Sequence, residues 1–174
     1  MTVILLIVAF AVLVLLLIIY ATRRPAADVT QYESLTQQMQ PVPVTALLNL
    51  IDPMQVDYLR RMLPKREFER LQRMRNRALL SYVRAIYKNA GILVQCAHAA
   101  AHSERTNIAE AGRELLNLAL VTRTNALQSM ALLTVSLIFP KAAANVLPTV
   151  FKYATATARS TSLSALLAEQ SATA

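Results

Sequence analysis

The amino-acid sequence predicts an all-α protein in which a single N-terminal transmembrane helix precedes a helical domain built on two long antiparallel helices with shorter flanking helices. Three observations support this prediction. The first twenty residues contain no charged side chain, and two long stretches further on repeat their apolar residues with helical spacing. The chain has only two glycines and no Asn-Gly or Asp-Gly pair, the dipeptides typical of β-hairpin turns.

Residues 1–22 are predicted to be a membrane anchor. An uninterrupted apolar run extends from Val3 to Tyr20, and its helical length of about 27 Å is close to the hydrocarbon thickness of a bilayer. A cleaved signal peptide would have a basic start, a shorter apolar run and a small-residue cleavage site. Because Arg23 and Arg24 follow the run, we expect Tyr20 and both arginines at the membrane interface, with the N-terminus outside. The predicted location is the cell inner (plasma) membrane, with the following domain in the cytoplasm.

The rest of the chain divides by composition into three parts. Residues 23–43 are rich in Pro, Ala, Gln and Thr and are predicted to form a tether, which could hold the domain off the membrane or fold back onto it. Residues 44–159 contain the helical patterns and form the predicted cytoplasmic domain. Residues 160–174 are small and polar apart from three leucines, and are predicted to be a C-terminal tail.

Asp52-Pro53 predicts the start of a short helix, because an aspartate can cap a helix whose first residue is proline. This helix should end at Met62 or Leu63, and Pro64 should begin the next one.

The helix after Pro64 is predicted to continue to about His102, with a break near Gly91 as the open alternative. At about 100° per residue, its large apolar side chains fall on one side, and a set of basic residues falls within an arc of about 60° on the opposite side. The apolar side comprises Phe68, Leu71, Ala78, Leu79, Tyr82, Ile86, Leu93 and Ala97, and the basic side comprises Arg66, Arg70, Arg73, Arg77, Arg84 and Lys88.

A second long helix is predicted from about Asn107 to Phe139, and a further helix beyond Pro148. The last part of the second helix, MALLTVSLIF, is apolar on nearly every side but too short to cross a bilayer. We expect this part to be a central core helix. The alternative is a surface that docks on a membrane or on another subunit.

The basic residues are concentrated in one part of the chain. Ten basic and two acidic residues lie between Arg60 and Lys88, and the remaining residues carry eight of each sign, so this segment accounts for the whole net charge of +8. Like charges four residues apart on a helix repel one another. Beside an anionic surface, attraction to that surface would replace this net repulsion. Three interpretations remain: a solvated helix face, contact with acidic lipid or an acidic subunit beside the membrane, and nucleic-acid binding. The sequence lacks the motifs that would support the third.

The sequence offers one weak metal-binding candidate. His98 and His102 are four residues apart on one helical face, and Glu110 or Glu114 could approach from the next helix. Cys96 points about 160° away from His98 and cannot share a metal with it in a regular helix. We therefore predict no catalytic residues, no metal site and no cofactor.

The sequence favours a non-catalytic single-pass membrane protein that serves as a structural or accessory subunit of a larger membrane complex. Its expected partners are the lipid bilayer, through the basic side of the first long helix, and other subunits of that complex. One alternative is a membrane-tethered metal-binding or haem-binding redox protein that uses His98 and His102. Another is a membrane-bound regulator that binds nucleic acid, which the absence of recognition motifs disfavours.

Overall fold

The computed structural model describes residues 32–138 and 145–172, and this part of the chain contains six helices and no strand. The all-α fold class is therefore confirmed for these residues. In chain order the helices are α1 (Tyr32–Gln37), α2 (Val44–Ile51), α3 (Pro53–Met62), α4 (Lys65–Ala101), α5 (Thr106–Ile138) and α6 (Leu147–Ala172).

The short helix α3 begins and ends as its flanking residues predict. The Asp52 carboxylate accepts a hydrogen bond from the Met54 backbone N–H at 2.9 Å, and Pro53 occupies the first helical position, where no intrahelical N–H is needed. Pro64 separates α3 from α4. Proline has no backbone N–H to donate, and it disfavours the helical conformation of the residue before it.

Helices α4 and α5 form a long antiparallel hairpin. α4 is continuous over 37 residues and passes through Gly91 without a break, so the prediction of one long helix is confirmed. At the turn of the hairpin the two backbones approach closely, because a Cβ atom at Gly112 would lie 2.5 Å from the Ala101 nitrogen. At the far end the Asn76 side-chain amide donates to the Ser136 hydroxyl at 2.9 Å.

Helix α6 packs along α5 in the opposite direction and completes a three-helix body with two core clusters. The buried hydroxyls of Ser129 and Thr149 lie 2.8 Å apart at the start of α6. The cluster nearer the hairpin turn contains Leu93, Cys96, Ala97, Ala100, Ile108, Leu115, Ala119, Ala156 and Leu163. The other cluster contains Leu47, Leu79, Leu80, Val83, Ile86, Ala126, Leu133, Val146, Val150 and Tyr153.

Residues 32–43, which the sequence assigns to the tether, are packed against this body. Leu35 and Met39 contact the cluster nearer the turn. The fully buried amide of Asn89 accepts from the Gln40 N–H at 2.9 Å and donates to the Gln40 carbonyl at 2.8 Å and to the Tyr153 hydroxyl at 2.7 Å. This amide therefore joins the N-terminal segment to α4 and α6.

The predicted C-terminal tail is helical through most of its length. α6 continues to Ala172 with no boundary at Ser160, and Leu163 is buried in the core. Residues 160–172 of the predicted tail therefore continue this helix, and residues 173–174 lie outside the described residues. Packing of the buried Leu163 stabilises this part of the helix. The surrounding alanine and serine residues do not oppose helix formation.

The segment MALLTVSLIF was expected in the centre of the core, and this holds for only one of its sides. Leu133 and Ser136 are buried, but Leu132, Val135 and Ile138 are exposed. The reason is geometric, since α4 and α6 cover one side of α5 only. Phe139 lies outside the described residues.

The predicted anchor at residues 1–22, with its interface residues Tyr20, Arg23 and Arg24, lies outside the described residues. Among the helices that the structure describes, none combines the length and the apolar character needed to span a bilayer.

Candidate interaction surfaces

The six basic residues singled out on the first long helix form one exposed surface of α4, here called the basic face. The turn of α4 brings them together along more than five helical turns, opposite the buried residues Val83, Ile86 and Leu93. All six members are exposed: Arg66, Arg70, Arg73, Arg77, Arg84 and Lys88.

The charges of the basic face have no acidic partner within the described part of the chain. One salt bridge there joins Arg60 to Asp57 at 4.0 Å, and the other joins Arg159 to Glu114 at 2.9 Å. Neither involves the basic face. Arg73 donates only to the backbone carbonyl of Glu69 on its own helix, at 3.3 Å. The surface therefore combines six cations that repel one another and form no salt bridge within the described residues.

Arg75 lies in the same basic segment but has a structural role. Its guanidinium is buried, and Nη2 donates to the Leu50 carbonyl at 2.8 Å. That carbonyl belongs to the last turn of α2, where unpaired carbonyls and the helix dipole both favour a cation. The sequence pattern correctly separates Arg75 from the basic face, because its helical phase is on the apolar side. The partner carbonyl could not be found from the sequence.

The two histidines lie side by side at the end of α4. Their ring centroids are 4.5 Å apart, both rings are exposed, and His102 Nδ1 lies 2.8 Å from the His98 carbonyl oxygen. The structure does not bring a carboxylate to them, since Glu114 pairs with Arg159 and Glu110 is exposed on α5. In residues 32–138 and 145–172, no three potential ligands among His, Cys, Asp and Glu come together.

Cys96 is buried in the core on the other side of α4. Burial raises the pKa of its thiol to about 11, because the thiolate would lose its hydration there. A thiol in this environment is protonated at neutral pH and is a poor nucleophile or metal ligand. The structure thus places Cys96 in the role of a small apolar core residue.

A second surface lies on α5, and its last three residues belong to the segment MALLTVSLIF, for which the sequence left a docking surface as the alternative. Six exposed residues follow one another at intervals of three or four along the side of α5 that no other described helix covers. We call this surface the apolar seam, and its members are Leu120, Thr124, Leu127, Ala131, Thr134 and Ile138. In the sequence, the end of this helix is apolar on nearly every side. That pattern indicates that the helix is buried, but it does not indicate which side is buried.

Three large apolar side chains are exposed on α3. Met54, Tyr58 and Met62 follow one another at intervals of four residues, so they share one face of this short helix. A shallow depression there is lined by Met54, Gln55, Tyr58 and Leu59. It contains no charged group and no concentration of polar atoms that would suggest a reaction site.

Comparison of the chain with protein-family models, with curated proteins and with solved structures found no match.

Proposed function

We propose that this protein is a non-catalytic, single-pass membrane protein, an accessory subunit of a larger membrane complex, whose basic face contacts an acidic surface beside the membrane. The observation that carries the proposal is the basic face itself. It presents six exposed cations without an acidic partner in the described residues. A face of this kind gains free energy from an anionic surface, and each cation near an anionic leaflet contributes about 1 kcal/mol.

The membrane part of the proposal rests on the sequence. The uncharged run from Val3 to Tyr20 is long enough to cross a bilayer, and Arg23 with Arg24 favours a cytoplasmic domain by the positive-inside rule. The cytoplasmic leaflet carries the acidic lipids, and an acidic subunit of a membrane complex would present the same chemistry. Both acidic surfaces are then within reach of a domain that begins only a short segment after the anchor.

The proposal is tested by reversing charge on the basic face of the full chain. Changing Arg70→Glu, Arg73→Glu and Arg77→Glu together should lower association with the acidic partner by roughly 100-fold, from three contributions of about 1 kcal/mol each. The measurement is gentle detergent extraction, followed by quantification of the protein and phospholipid that co-purify. Loss of a protein identifies an acidic subunit, and loss of acidic phospholipid identifies the leaflet.

A matched control variant changes the net charge by the same amount at positions outside the basic face. Arg105→Glu, Arg113→Glu and Lys152→Glu alter three exposed residues outside the basic face and outside both salt bridges of the described residues. This variant should retain its partners. Equal retention by both triple variants, or nucleic acid as the component lost from the first, would contradict the proposal.

A further inference from the structure

The short helix α3 turns three large apolar side chains outward. No residue of this helix is buried, and Met54 is 80 % exposed, Tyr58 60 % and Met62 64 %. The three side chains share one face, so they form a continuous patch instead of isolated exposed residues. A continuous apolar patch of this kind is typical of a surface that contacts a protein or a membrane.

The opposite side of α3 is held against the rest of the molecule. Val56 within the helix and Leu63 at its end are half-buried there. The Arg60 guanidinium lies over the Phe68 ring of α4, at 5.6 Å from the ring centroid. These contacts fix the orientation of α3, and they leave the three apolar side chains directed away from α4.

A cation shares this apolar face. At about 100° per residue, Arg61 lies about 20° from Met54 around the helix axis. Arg61 also follows Tyr58 by three residues, which makes the two side chains neighbours on the helix surface. Arg61 is exposed and forms no salt bridge within the described residues. The surface formed by Met54, Tyr58, Arg61 and Met62 is here called the α3 face.

The charge around the α3 face is predominantly positive. The one acidic residue within α3 is Asp57, at the edge of the face, and its carboxylate pairs with Arg60 at 4.0 Å. The Asp52 carboxylate caps the helix by accepting from the Met54 N–H. The nine residues from Tyr58 to Arg66 contain four basic residues and no acidic one. The α3 face therefore matches a partner that is both apolar and anionic.

We infer that the α3 face inserts into the headgroup region of an acidic lipid leaflet, with α3 lying parallel to the membrane plane. Met54, Tyr58 and Met62 enter the boundary between headgroups and acyl chains, as the apolar side of an interfacial helix does. The tyrosine suits this depth because its ring is apolar and its hydroxyl is polar. The Arg61 guanidinium binds lipid phosphates, with its apolar stem along the acyl chains.

An acidic leaflet supplies both parts of the match at once. Its acyl boundary receives the apolar side chains, and its acidic headgroups attract Arg61 and the cations that follow it in the chain. Met54 and Met62 have flexible side chains, so they adapt to irregular surroundings without a shaped pocket. The inference rests on the proposed membrane location, but it uses residues that are separate from the basic face.

The insertion is tested with the full chain reconstituted into vesicles of phosphatidylcholine and phosphatidylglycerol. Tyr58→Cys carries a nitroxide spin label, and a water-soluble nickel complex on both sides of the membrane reports whether water reaches the label. Cys96 is buried and does not take up the reagent. We predict that the label on Tyr58→Cys loses its accessibility to nickel. Ser162→Cys, an exposed position on α6, should keep it. Met54→Cys repeats the measurement if the first variant does not fold.

A charge variant tests the part played by Arg61. Arg61→Glu, combined with Tyr58→Cys, should restore the accessibility of the label to nickel, because acidic headgroups repel glutamate. Arg113→Glu changes the net charge equally at an exposed position on α5 and should leave the label inaccessible. Vesicles of phosphatidylcholine alone should also raise the accessibility of the label, because they lack the acidic headgroups.

Three results would overturn the inference. The label on Tyr58→Cys may be as accessible as the control in acidic vesicles. Nickel may be excluded only in native membranes, which would identify a protein as the occupant of the α3 face. The third result concerns the triple variant Arg70→Glu, Arg73→Glu and Arg77→Glu, which should leave the label inaccessible to nickel. If this variant exposes the label, the α3 face does not insert by itself. Failure of insertion is thus distinguishable from failure of the proposed function.

Discussion

At the scale of single residues, the two glycines have opposite roles in the hairpin. Gly112 lies where α5 passes the end of α4, and a Cβ there would come within 2.7 Å of the Ala100 carbonyl carbon. Gly91 lies inside α4, and a Cβ there would meet nothing within 4 Å. The first glycine permits close helix packing, whereas the second only weakens the helix that contains it.

Alanine substitutions at these positions should therefore change stability in opposite directions. Gly112→Ala forces the two backbones apart and should lower the free energy of unfolding by about 1–3 kcal/mol. Gly91→Ala restores helix propensity and should raise it by up to about 1 kcal/mol. Thermal unfolding of the full chain, followed by circular dichroism, measures both. Equal shifts of the same sign would show that the close approach at Gly112 is not present in solution.

Residues that join distant segments were beyond sequence reasoning. Asn89 reads as one polar residue within a long helix, yet its amide joins Gln40 to Tyr153 in the interior. Arg75 likewise bonds to a carbonyl 25 residues earlier in the chain. Such contacts depend on how the helices are packed, and helical periodicity contains information only about which side of each helix is apolar.

At the scale of helices, the sequence was informative where two sides of a helix differ strongly. α4 has cations on one side and large apolar residues on the other. The angular positions of these residues around the helix axis therefore predicted both its bounds and its buried side. The end of α5 is apolar all round, and the phase could not tell which side α4 and α6 would cover. Helix α6 consists largely of Ala, Ser and Thr, whose weak pattern hid the burial of Leu163.

The end of α6 should contribute to stability, which a disordered tail would not. Leu163→Ala removes a side chain that is only 1 % exposed and should lower the free energy of unfolding by about 2–5 kcal/mol. Ser162→Ala, an exposed neighbour, should change it by less than about 0.5 kcal/mol. Urea denaturation of the full chain compares the two. If both changes are equally mild, Leu163 does not belong to the core.

At the scale of the whole molecule, the described residues have two exposed surfaces with different chemistry. The basic face lies on α4 and the uncharged seam lies on α5, on either side of the contact between Tyr87 and Arg123. Lysine and arginine on a solvated surface are normally mixed with acidic residues, whereas the basic face forms no salt bridge within the described residues.

The most direct test of the central claim is whether the basic face is covered in the native membrane. In permeabilised cells, Arg77→Cys and the control Lys152→Cys present exposed thiols on α4 and α6, while Cys96 remains buried. The labelling rate of each is measured before and after a high-salt wash and detergent extraction. We predict that the thiol of Arg77→Cys is labelled slowly in the membrane and becomes as reactive as the control afterwards, because salt screens the contact. Equal rates at both positions throughout would show that the basic face is only solvated, and would contradict the account.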